Sequence, residues 1–170
     1  LLALALGIPT MQPRRALTLG LTEKPQHLDV MRVNKRYYGV IAVGRGYDTF
    51  LMQETTRALK RKLGLVAYFW TFAKTFLFYR SKPYKLTLDK KRIQVLAKSI
   101  MVFNLLPVPL TPIKPNDGLL NTLVLTSRGR VQSFISKSVV IKGKKELKFE
   151  VDGDIHHSKV ISIEVLPKTL

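Results

Sequence analysis

From Pro83 to Leu166 the chain reads as a succession of short β-favouring runs closed by turn residues, and this pattern constrains the fold more than any other feature. "YKLTLDKKRIQVLAKSIMVFN" predicts a hairpin turning near Asp89 and Lys90. "LLNTLVLTS", "VQSFI", "SVVIKG", "ELKFEVDGD" and "KVISIEVL" follow as further short strands, which favours a sandwich or barrel. The sharpest turn signal is Asp152-Gly153 in "FEVDGDIHH". Asp-Gly between apolar runs marks a hairpin, because Gly accepts positive φ without steric cost. The same stretch carries two carboxylates, Asp152 and Asp154, so it also suits the acidic edge of an active site.

The first half of the chain is more mixed. "LLALALGIP" looks like the last turns of a helix capped at Gly7, as though the chain began inside an element. Residues 13–21 start with Pro13 and suit a short helix. "HLDVMRV" and "YYGVIAV" predict a hairpin around a turn at Asn34 and Lys35. "GRGYD" breaks the second strand; Thr49 stands where a dinucleotide fingerprint needs its third glycine. Helices are predicted over about 48–79, the first capped by Asp48 and the second built from "LVAYFWTFAKTFLFY". That second stretch is shorter than the ~20 apolar residues a bilayer span needs. It suits a core helix or an interfacial one. Four prolines in "LLPVPLTPIKPNDG", residues 105–118, make a loop.

Composition then narrows the chemistry. There is no Cys, which excludes disulfides, thiolate metal sites and cysteine nucleophiles. His156 and His157 are adjacent, so on a strand they point to opposite faces and do not share a metal. A formal charge of +18 attracts polyanions such as nucleic acid, anionic lipid or phosphorylated substrates. With only 11 acidic residues, the candidate carboxylates are few: Asp48, Asp117 in "KPNDGLL", and the pair Asp152 and Asp154. Each has a structural alternative, as helix cap, Asx-turn and hairpin turn respectively. No P-loop, His-Glu-x-x-His, nucleophile elbow or kinase catalytic loop is present.

Taken in order, "LALGIP", "LDVMRVNKRYYGVIAVGRGYD", "KRKLGLVAYF", "NDGLLNTLVL" and "VDGD" resemble the C-terminal portion of the bacterial diacylglycerol kinase and lipid kinase family, related to sphingosine and ceramide kinases. The resemblance implies a mainly β (α+β) fold: an antiparallel β-sandwich with two or three helices, the second domain of a two-domain kinase. Residues 1–22 would be a helical segment following an N-terminal nucleotide-binding domain, and 23–170 the lipid-substrate sandwich. The family's Gly-Gly-Asp-Gly-Thr loop for ATP phosphates belongs to that N-terminal domain and does not occur here.

By resemblance, Asp154 stands at the family's general-base position and would take the proton of the attacking lipid hydroxyl, while Asp152 would assist the Mg²⁺ or water network. A Mg²⁺ ion would be held by Asp117 and the carbonyls of Lys114 and Leu119, oxygen donors of the kind it prefers. Two departures stand out. Asp154 replaces the family's Glu, one methylene shorter, and "LLPVPLTP" replaces the glycines that usually follow the position of Asn104. The implied parent is an ATP-dependent lipid kinase, cytoplasmic and peripheral to the membrane. Its partners would be a lipid substrate, an anionic membrane surface and the missing N-terminal kinase domain. The sequence leaves a homodimer open. Two other readings remain: a non-catalytic lipid-binding or regulatory relative, and a basic β-module for nucleic acid, disfavoured because the aromatics cluster in one apolar stretch instead of between basic strand residues.

Overall fold

A computed structural model describes residues 3, 6–9, 11–46, 79–105 and 116–170. The predicted helices at about 48–79, with Asp48 (Tyr79 apart), most of the proline-rich loop, and Lys114 lie outside the described residues. The described part is one helix, α1 (Pro13–Thr22), and nine strands: β1 (Val30–Val33), β2 (Tyr37–Gly39), β3 (Ala42–Gly46), β4 (Lys82–Leu88), β5 (Lys91–Phe103), β6 (Leu120–Thr126), β7 (Val131–Ser136), β8 (Ser138–Val151) and β9 (Asp154–Leu166). Pro13 opens α1 where a missing N–H costs nothing. The expected glycine cap is present upstream: Gly7 sits at φ 72° and Ile8 N–H donates to the Ala3 carbonyl at 2.8 Å.

All strands join one antiparallel sheet in the order β2-β1-β9-β8-β3-β5-β6-β7. β4 also lies between β5 and β8, below β3. Gly46 of β3 faces Ser99, and Lys82 of β4 faces Ala97. β3 and β4 therefore form one interrupted strand, with residues 47–81 between its halves in the sequence. The apolar face of the sheet closes around a single core that includes Met31, Leu86, Ile100, Leu120, Ile141, Phe149 and Ile161. The sheet curls enough to bring β7 against β4, three places apart, as sheet twist demands when one face must be buried.

Two strand assignments differ from the sequence reading. "SVVIKG" and "ELKFEV" are one strand of 14 residues, because β9 stays paired on both sides of a bulge between Lys142 and Leu147. "YYGVIAV" is two strands, divided at Val40 and Ile41.

Three turns share one device. Asn34, Asp89 and Asp152 each open a hairpin turn at positive φ (51°, 53° and 49°). Each donates its N–H to a strand outside its own hairpin: Asn34 to the Ser162 carbonyl, Asp89 to Ser138, Asp152 to Ala42. Each side-chain oxygen then accepts amides from that same place. Asn34 Oδ1 takes Ser162 N–H at 2.8 Å, and Asp89 Oδ1 takes the N–H groups of Lys137 and Ser138 at 3.0 and 2.8 Å. Asn and Asp tolerate the left-handed region because a short polar side chain bonds nearby backbone.

Candidate active site

Asp152 and Gly153 form a two-residue loop, with Val151 paired to Asp154 across it. Both loop residues have positive φ, 49° and 103°, the conformation that suits the right-handed twist of the flanking strands. The hairpin expected from Asp-Gly is thus present.

The Asp152 carboxylate is almost fully engaged. Oδ2 accepts Val40 N–H at 2.7 Å, and Oδ1 accepts those of Ile41 and Ala42 at 3.0 and 2.8 Å. These amides belong to the bend that divides β2 from β3, where no strand partner would satisfy them. A carboxylate offers about four lone-pair sites, so roughly one remains, on Oδ2. Gly39 permits the close approach: a Cβ there would lie 2.7 Å from the Val151 side chain and 3.4 Å from Asp152 Oδ1. Asp154, by contrast, is exposed at the start of β9, and its carboxylate takes no hydrogen bond or ion pair from the described residues. The turn thus has one carboxylate held by backbone amides and one without a partner among the described residues.

Asp117 also carries a local bond. Its Oδ1 accepts Leu119 N–H at 3.0 Å, the Asx-turn foreseen as its structural alternative. Oδ2 and the Leu119 carbonyl remain as oxygen donors on that loop. No cluster of three acidic or histidine side chains occurs among the described residues. One carboxylate with backbone carbonyls and waters nonetheless suits Mg²⁺, which commonly binds through one or two carboxylates.

Two residues that the sequence did not single out for chemistry tie these parts together. Asp29 is fully buried; its Oδ2 accepts Gly118 N–H at 2.6 Å and its Oδ1 accepts Lys168 N–H at 2.8 Å. Buried Asn104 donates from Nδ2 to the carbonyls of Asp29 and Val40, at 2.8 and 3.0 Å, and its N–H reaches the Ile41 carbonyl at 3.1 Å. A continuous path of hydrogen bonds therefore runs from the Asp117 loop through Asp29 and Asn104 to the bend that Asp152 caps. The sequence signal for Asp29 was a lone carboxylate between Leu28 and Val30, both apolar and both buried.

The histidines divide as expected. His156 stacks on Tyr37 with ring centroids 3.9 Å apart, beside Phe149, whereas His157 is exposed and faces Lys148 in the register.

Comparison with solved structures gives this arrangement a context. A protein of Bacillus anthracis strain Sterne described as a putative diacylglycerol kinase superposes with a TM-score of 0.79 at 22% identity, over 98% of this chain and 62% of its own. A diacylglycerol kinase from the same strain gives 0.71 at 18% identity, over 98% and 60%. This is the fold of the C-terminal β domain of the diacylglycerol kinases. A Staphylococcus haemolyticus protein named "Putative lipid kinase" is 25% identical over 176 residues, 86% of this chain. The resemblance of the sequence to the lipid kinases is upheld. The chain spans 57% of the length of that relative. No protein-family model matches it. Among the described residues of this diacylglycerol kinase fold, no helix is long and apolar enough to cross a membrane.

Proposed function

We propose that this chain is the lipid-substrate part of an ATP-dependent lipid kinase, acting on a hydroxyl such as that of diacylglycerol. The observation that carries the proposal is Asp154: an exposed, uncommitted carboxylate on a turn anchored by three backbone amides, in a domain with the diacylglycerol kinase fold. A general base needs a free oxygen and a fixed position, and the turn supplies both.

In this reading Asp154 accepts the hydroxyl proton, directly or through one water. The lipid oxygen then bonds to the γ-phosphorus as the bridge to the β-phosphate breaks and ADP leaves. Phosphoryl transfer asks little covalent chemistry of the protein; positioning and charge neutralisation dominate. Asp152 is a positioning residue whose remaining lone pair is open to a water of the metal network. Asp117 Oδ2, with the carbonyls of Leu119 and Lys114, would hold Mg²⁺, which when bound neutralises charge around the phosphates. Asp29 and Asn104 keep that loop in register with the turn.

The test uses the protein that carries both this domain and the nucleotide domain. Asp154→Asn is expected to lower ATP-dependent phosphorylation of diacylglycerol in mixed micelles by about 10²–10⁴-fold while thermal unfolding stays unchanged. Unchanged turnover would remove Asp154 as base, and absence of any turnover in the unmodified protein would favour the non-catalytic lipid-binding reading.

A further inference from the structure

The outer face of β4, turned away from the core, carries a charge pattern that folding alone does not explain. Lys85 stands directly between Lys142 of β8 and Gln94 of β5, and Thr87 stands between Val140 and Arg92. Residues paired directly across a ladder share a face, so these six side chains form two rows on one surface. Tyr84, Leu86 and Leu88 alternate with them into the core. Lys85, Arg92 and Lys142 are exposed, and none of them forms a salt bridge among the described residues. Like charges directly opposite each other on a sheet are destabilising, so Lys85 beside Lys142 lowers stability unless an anion lies between them.

The two rows line a hollow of about 520 Å³. A second hollow, of about 600 Å³, continues it along β4 and shares Lys85, Gln94 and Lys142 with it. The second is lined further by Lys144 and by Pro83 paired with Leu96, which is 50% exposed. Small-molecule sites typically measure about 300–1,000 Å³ and set a few polar groups beside apolar surface. From Thr87 to Pro83 the floor of this groove runs roughly 13 Å, at about 3.3 Å per residue. One end is cationic, with the Thr87 hydroxyl and the Gln94 amide as neutral donors; the other end is apolar.

We propose that this groove binds a soluble nucleotide of the nucleoside diphosphate class. Its phosphates lie among Lys85, Lys142 and Arg92, and its base lies over Pro83 and Leu96. A terminal phosphate carries about −1.5 to −2 charge at pH 7 and three strong acceptor oxygens, which three cations and a hydroxyl can satisfy. A base packs on apolar side chains as well as on aromatic ones. An acyl chain fits less well, because the exposed apolar surface in the groove is confined to the Pro83–Leu96 pair. The site stands apart from the Asp154 turn. Val160, which pairs with Lys142, is six residues along β9 from Asp154, or roughly 20 Å. The cationic row of Thr87 and Arg92 is farther still, so the phosphates point away from Asp154 and take no part in transfer there. The inference thus goes beyond the lipid kinase reading and does not depend on it.

Isothermal titration of the 170-residue chain with ADP, pyrophosphate and adenosine tests the proposal at physiological salt, where loose attraction to the net charge is screened. ADP is expected to bind saturably, one per chain, pyrophosphate more weakly, and adenosine not measurably. Lys85→Glu should weaken ADP binding about tenfold or more, the loss of one charge-assisted hydrogen bond. Without ligand the same variant should melt slightly higher than the native chain, because an opposite-charge pair replaces a like-charge one. That rise separates lost binding from lost folding. Leu96→Ser should weaken ADP about threefold through lost apolar contact and leave pyrophosphate unchanged. Arg14→Glu with Arg15→Glu on exposed α1 lowers net charge further than Lys85→Glu does and should have a much smaller effect. The assignment is overturned by no saturable ADP binding, by ADP binding that survives Lys85→Glu, or by an equal loss from the α1 pair. Pyrophosphate bound as tightly as ADP would remove the base from the groove, and monomeric dihexanoyl phosphatidate bound more tightly than ADP would make the ligand a lipid phosphate instead; either result overturns the nucleotide.

Discussion

The two ends of β8 are built alike and charged differently. At its start Asp89 caps the corner between β7 and β8 by accepting two amides; at its end Asp152 caps the corner between β2 and β3 by accepting three. Both sit at positive φ in tight hairpin turns. Their downstream neighbours differ. After Asp89 come Lys90, Lys91 and Arg92; after Asp152 come Gly153 and the free carboxylate of Asp154, on the side of the sheet that the Asp29–Asn104 network joins to the Asp117 loop. A carboxylate in a hairpin turn is thus a corner device of this fold, and only its free neighbour at one end suggests chemistry.

The sharpest way to break the comparison is kinetic. Removing the Asp154 carboxylate in the two-domain protein should lower turnover by about 10²–10⁴-fold, the range of general-base catalysis, with the melting temperature unmoved. A loss of stability instead would mean that Asp154 is a second corner residue. Asp152→Ala should show the opposite signature. It strands amides at a bend, and the chain should lose about 3 kcal/mol or more in urea unfolding. Asp89→Ala, which frees fewer amides, should lose about half as much. A larger loss at Asp89 would show that the number of amides does not set the strength of the clamp. Gly153→Ala forces a Cβ at φ 103° and should cost about 1–3 kcal/mol.

The smallest expected effect lies on the Arg32–Glu164 pair, 2.6 Å apart. The hydrogen bond from Arg32, and then its charge, hold the Glu164 carboxyl below its ordinary value of 4.5 against the opposing pull of burial. A depressed carboxyl stabilises the fold above its unfolded pKa and loses that contribution as pH falls through the folded one. Stability should therefore drop slightly below about pH 4.5 in the native chain and less so in Glu164→Gln, measured by urea unfolding from pH 6 to 3.

The turns were legible because their signal is local. Asp152-Gly153, Asp89-Lys90 and Asn34-Lys35 announce themselves through residues that tolerate positive φ, and each turn lies where the sequence places it. The continuity of β8 through Gly143 was not legible, since a glycine between lysines reads as a loop unless β9 is already alongside to carry the bulge. Nor was the break at Val40 and Ile41. Gly39 is its one local mark, and the bend is satisfied by a carboxylate 112 positions further on.

By itself the sequence determined the antiparallel class, the hairpin punctuation and the small set of carboxylates that could do chemistry. Only the tertiary structure showed that three backbone amides hold Asp152 and that Asp154 takes none from the described residues, and it brought in Asp29 and Asn104. Turn propensity is a property of one or two backbone angles and is written in adjacent residues. Whether a carboxylate is free depends on which amides surround it, and here those amides come from strands more than 100 residues away along the chain.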